Sequence, residues 1–163
     1  MLFWHNSSMT HVGAQSNILK ASSELKSELQ RLGRKEHFFS NQALFREDDS
    51  NTGVFLLLSG KVCMSVKGLP KLDRLFSAGS LLGLPSTFTG HTYSLTAVAA
   101  TESEAVHVAQ DGFVRLMRER PELCREATEM LGREVTFIQS ALAERRKQAA
   151  SRKLSLSEVL TSS

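Results

Sequence analysis

The sequence predicts a mainly β domain with helices at its end, built as a sandwich, jelly roll or barrel. Two patterns carry that expectation. After Gly33, about eight short apolar segments recur between turn signals, the spacing of an all-β domain. From Asp111 onward the apolar residues fall three and four apart instead, which is a helical period. Between the two lies Gly79 to Ala100, GSLLGLPSTFTGHTYSLTAVAA, where a strand breaks at glycine and another starts at Tyr93.

A chain of 163 residues is enough for one domain with a real core and a helical appendage. Its apolar share of 41% and charged share of 23% are those of a globular protein. The 20 basic and 17 acidic residues leave a net charge of +3, too small to name a nucleic acid or a membrane as partner. Basic residues cluster late, at Arg145, Arg146, Lys147, Arg152 and Lys153, as they also do on a solvated helix end. No apolar run is long enough to cross a bilayer, and the start lacks the basic region and cleavage pattern of a signal peptide. Cys63 and Cys124 stand far apart without metal spacing, so reduced, buried thiols in a cytoplasmic protein are expected.

Residues 1–16 show no period and read as a leader, with Trp4 free to dock. Ile18, Leu19, Leu25, Leu29 and Leu32 fall near helical spacing, so Asn17 to Leu32 reads as a helix stopped by Gly33. Strands are expected at His37–Phe39, Ala43–Phe45, Val54–Leu58, Lys61–Val66, Asp73–Ser77, Tyr93–Ala100 and Ser103–Ala109. In the last of these, Ala105 and His107 share one face, Val106 and Val108 the other. Asp111 reads as the N-cap of a short helix that ends near Pro121. Pro121 suits the first turn of a second helix, of about 25 residues, reaching Gln148.

On that helix Thr128, Leu131, Val135, Ile138 and Leu142 form a coiled-coil-like seam. Ala127, Met130, Phe137 and Ala141 flank it, placed to face the strands. A twin across a two-fold axis is the simplest cover for the seam; a single core-packing helix in a monomer is the alternative. The stretch after Gly83 also has two readings. It is a cradle whose backbone N–H groups attract an anion over a short helical turn, or an ordinary hairpin loop.

Taken in order, these pieces resemble a known family. They are a leading helix, strands carrying FREDD and VFLLLSGKV, a glycine-flanked cradle running into YSLTA, a strand, a short helix ending in RP, and a long helix. The chain looks like the cyclic-nucleotide-binding domain of the catabolite activator protein and Crp–Fnr superfamily. The resemblance covers about Leu25 to Lys147 and is clearest at Val54–Val62 and Phe113–Pro121. It implies an antiparallel β-roll, jelly-roll-like, followed by a short helix and a long dimerisation helix. It also implies a phosphate-binding cassette at Gly83 to Ser94 and a homodimer through Leu131, Val135, Ile138 and Leu142. The chain then divides into a leader (1–16), leading helix and roll (17–110), the two helices (111–148) and a hinge or tail remnant (149–163).

The departures bear on the ligand. The family's cassette opens Gly-Glu and later carries Arg-Ser or Arg-Ala, the Glu holding the ribose 2′-OH and the Arg the cyclic phosphate. Here Gly83 is followed by Leu84, and Tyr93 stands before Ser94. Two charge-assisted contacts of about 1.5–3 kcal/mol each are lost, roughly 3–6 kcal/mol if additive. High-affinity cAMP or cGMP binding is therefore not expected, and no cofactor is assigned. Residual anion affinity would rest on backbone amides, Ser86 and Ser94. Leu84, Pro85, Tyr93 and Leu95 make the pocket more apolar. On the long helix, Ile138 and Gln139 align with base-contacting positions, and Gln139 keeps the means to hydrogen-bond a ligand or a partner subunit.

Gene-regulating relatives continue into a winged helix-turn-helix. The residues after Gln148, with Ser155 read as capping a short turn, cannot build one, so DNA binding by this chain alone is not expected. His37, His91 and His107 are isolated, two cysteines cannot hold an iron–sulfur cluster, and there is no nucleophile elbow. No metal, haem or catalytic residue is assigned. The expectation is a non-enzymatic, cytoplasmic, dimeric sensor module of Crp–Fnr type, acting through ligand-biased packing of its long helices. Two alternatives stand: a ligand-free dimeric interaction domain, and the sensor half of a truncated DNA-binding regulator.

Overall fold

The structure, a computed structural model, describes residues 20–68 and 73–161, with the side chains at 137, 138, 141 and 155–161 left out. The expected leader, Trp4, and the start of the leading helix lie outside the described residues. Helix α1 (Ser23–Leu32) precedes five strands: β1 (Arg34–Phe38), β2 (Ala43–Phe45), β3 (Gly53–Ser59), β4 (Val62–Ser65) and β5 (Arg74–Phe76). Then come β6 (Leu81–Leu82), α2 (Leu84–Thr89), β7 (Thr96–Ala99), β8 (Ser103–Ala109), α3 (Gln110–Glu119) and α4 (Pro121–Thr161). The strands form two antiparallel four-stranded sheets, ordered β1-β8-β3-β6 and β2-β7-β4-β5. This is the predicted β-roll followed by a short and a long helix.

The apolar run of β3 is explained by burial on both faces. Phe55 and Leu57 point between the sheets, where they meet Phe38, Phe45, Met64, Phe76 and Leu82. Val54 and Leu56 point the other way, into a second core with Leu25, Leu29, Phe113, Leu116, Leu123 and Met130 of the helices. Strand β8 repeats the arrangement, with Ala105 inward and Val106 and Val108 under the helices. The first sheet is thus sandwiched between the second sheet and the helical layer. His107, half-buried at its end, stacks on Phe55 and bonds the Thr52 carbonyl through Nε2 at 2.9 Å.

Ser22 caps α1, its hydroxyl accepting the Leu25 N–H at 3.2 Å. The same residue is held by Glu126 of α4, whose carboxylate takes the Ser22 N–H at 2.7 Å and its hydroxyl at 2.6 Å. Arg120, at the α3–α4 junction, pairs with Glu24 and Glu28 of α1 and with Glu122. The leading helix is therefore clamped to the root of the long one.

Several boundaries differ from expectation. Helix α3 starts at Gln110 with Ala109 as its N-cap, and Asp111 lies in the first turn without capping it. An acid there still complements the helix dipole. Helix α4 does not stop near Gln148, nor does Ser155 open a separate turn; one helix runs 41 residues to Thr161. Strand β1 begins at Arg34, three residues before the expected His37, because its charged residues lie exposed and show no alternation.

Cys63 and Cys124 are free and half-buried. Burial pushes the Cys63 thiol up to about 12, with the Asp73 carboxylate adding to the effect. It is an inert packing group.

Candidate functional site

The cradle is built where β6 ends. Leu81 and Leu82 pair with Leu56 and Phe55 of β3, and Gly83 then turns the chain into α2 at φ +90°, a left-handed conformation that favours glycine. A side chain there would also meet the Tyr93 ring at 3.2 Å. The Thr87 hydroxyl donates back to the Gly83 carbonyl at 2.8 Å, and Gly90 closes the helix in a second left-handed turn. The loop returns through Tyr93, short of the ladder. The strand starts at Thr96, not at Tyr93 as expected. The Tyr93 backbone pairs with the β2–β3 turn instead, with Asp48 N–H to Tyr93 O at 2.9 Å and Tyr93 N–H to Asp49 O at 3.1 Å.

Tyr93 is 3% exposed. Its ring lies parallel to Phe45, centroids 4.1 Å apart and planes 7° from each other. Its hydroxyl donates to the Gly53 carbonyl at 2.7 Å and accepts the N–H groups of Gly53 at 3.2 Å and Thr52 at 3.1 Å. One donor and two lone pairs are thereby used. The side chain pins the cradle to the start of β3 and has no group left over for a ligand.

Beneath the cradle is a cavity of about 10 Å³. That is at the lower limit for one water, far below the several hundred Å³ of a small-molecule site. Gly83, Pro85, Ser86, Tyr93 and Ser94 all border it, so five of the expected site residues are brought together. Leu84 and Gln139 are not. Leu84 is fully buried but turned into the helix-side core, and Gln139 is exposed on α4.

Helix α4 contributes Glu134 instead, a residue that the sequence reading passed over. Glu134 is 2% exposed, and neither carboxyl oxygen has a hydrogen-bond partner. Burial pushes its carboxyl up to about 8; the nearby Gly83 and Leu84 amides pull it down, though neither closes a bond of normal geometry. The signal was present in the spacing. Glu134 stands four residues beyond Met130, itself three beyond Ala127, on the stripe placed to face the strands.

The site is thus made of a two-sheet roll, a glycine-opened cradle on a short helix, and a long helix packed against that cradle. The match to known proteins is specific. The model of the cyclic nucleotide-binding domain family matches residues 35–120, half of the chain, and the chain belongs to that family in its Crp–Fnr form.

The nitrogen fixation regulation protein FixK of Bradyrhizobium diazoefficiens is 32% identical over 115 residues. That match takes in 67% of this chain and 46% of the relative, so the chain spans about half the length of the curated relative. Two solved structures share the fold. The catabolite activator protein of Thermus thermophilus superposes with a TM-score of 0.55 at 22% identity, over 83% of this chain and 59% of that one. A protein from work on a cyclic-GMP-dependent pathway regulating bacterial phytopathogenesis gives 0.61 at 23%, over 74% and 96%. Among the described residues, no helix is long and apolar enough to cross a membrane.

Proposed function

We propose that the chain is a non-enzymatic regulatory module of Crp–Fnr type whose cassette no longer takes a cyclic nucleotide with high affinity. One observation carries the reading. Tyr93, where the family's Arg would stand, is buried and fully hydrogen-bonded, and the space beside it is reduced to about 10 Å³. No cation borders that space among the described residues. Calorimetric titration with cAMP and cGMP up to millimolar should give no binding heat. Micromolar binding by the unaltered protein would sink this reading.

The regulatory output we assign to α4. Leu131 and Val135 are only partly buried, and Leu142, on the same side of the helix, is 41% exposed. A two-fold twin is the simplest cover for that face. Light scattering should therefore report a homodimer, and Leu142→Asp should shift it toward monomer with the thermal stability of the roll retained. A monomer at every concentration tested would favour the ligand-free interaction domain, with the same face turned to a different protein.

A further inference from the structure

Among the described residues of α4 the buried ones are Leu123, Ala127, Met130 and Glu134. The first three pack in the helix-side core, and the fourth puts a carboxyl against the cradle cavity. A hydrophobic stripe that ends in an unpartnered carboxyl is unusual, because a buried ionised carboxylate is among the most costly groups to desolvate. A proton removes that cost.

We infer that Glu134 is a proton-operated latch between the cradle and the long helix. With its proton, the side chain stays in the cavity and seats α4 on the roll. Without it, the carboxylate withdraws to water and releases the middle turns of α4. The latch does not depend on whether the cradle admits a nucleotide, so failure of the calorimetric test above would leave it standing.

The surroundings are consistent with a neutral occupant. β2 and β4 present Phe45 and Met64 to the cavity, and α2 presents Pro85 and Ser86. Tyr93 is the other titratable group there, its hydroxyl engaged by Gly53 and Thr52. On the packed elements Arg46, Asp48, Asp49, Lys67, His91 and Arg133 are exposed and border no part of it. The amides of Gly83 and Leu84 partly offset a charge, too weakly to reverse the effect of burial. In the unfolded chain the carboxyl ionises near 4.5, against about 8 in the fold. Between those values the folded state holds a proton that the unfolded state has lost. The stabilisation is complete below 4.5 and has gone once the pH passes about 8.

The test compares the full chain with Glu134→Gln and Glu134→Met across that pH window. The unaltered protein should lose stability relative to Glu134→Gln as the pH rises, by up to roughly a thousandfold in the folded-to-unfolded ratio. A carboxylic C=O infrared band should survive at neutral pH, vanish with the same midpoint, and be missing from both variants. Hydrogen exchange in α4 around Glu134, corrected for intrinsic rates, should accelerate over the same range. Parallel stability curves, or no band at neutral pH, would overturn the latch. A titrating band without faster exchange would overturn the release of the helix. Should Glu134→Gln fail to fold, Glu134→Met suits the apolar lining and serves the same comparison.

Discussion

Replacing Tyr93 by alanine is expected to lower the unfolding free energy by about 3–5 kcal/mol. The expectation has two separable parts. The ring stacks on Phe45 inside the inter-sheet core, and removing it leaves a cavity between the cradle and β2. The hydroxyl serves Gly53 and Thr52 at the root of β3. Tyr93→Phe isolates the second part. It keeps the stack and strands those backbone groups, for about 1–3 kcal/mol. Urea denaturation of the two variants measures both. A Tyr93→Phe protein as stable as the unaltered one would mean that water takes over the hydroxyl's partners, and the pinning role would fall.

Phe113→Ala is expected to cost a similar amount, about 3–5 kcal/mol, for a different reason. Phe113 is fully buried and meets Phe88 edge-on, centroids 5.4 Å apart with planes at 80°. Phe88 belongs to α2 and Phe113 to α3, so this contact ties the cradle helix to the helical layer. Its loss should unfold the protein at lower urea and also speed hydrogen exchange in α2. The control is Phe39→Ala. Phe39 is 67% exposed, and its loss should change stability by no more than about 0.5 kcal/mol. Equal effects from the two substitutions would contradict the packing described here.

The roll was legible because a strand buried on one face alternates and a strand buried on both does not. Ser103–Ala109 came out with its boundaries intact, and VFLLL read as a buried strand. Strand β1 was partly missed because its exposed sequence, RKEH, has no pattern to read. The end of α4 was missed because the polar, serine-rich residues after Gln148 carry no stripe, yet the helix continues through them.

At the site, the loss of the family's Arg could be read at Tyr93, but what Tyr93 does instead could not. Its partners lie 40 and 41 residues away in the chain, and no local rule connects them. Glu134 was passed over for the opposite reason. Its spacing announced the buried face, but a carboxylate is normally assigned to solvent.

The length of α4 turns the cradle into a fulcrum. Beyond Glu134 the helix continues for roughly 27 residues, about 40 Å at 1.5 Å per residue. A tilt of about 10° where Glu134 meets the cradle would carry the far end through about 7 Å, more than a full helical turn. A displacement that need only part Arg145 from the Lys67 carbonyl, which it bonds at 2.6 Å, becomes, at the tip, large enough to change which surface a neighbouring molecule meets. The lever lies along one continuous helix and needs no hinge or second domain to magnify what happens at a single side chain.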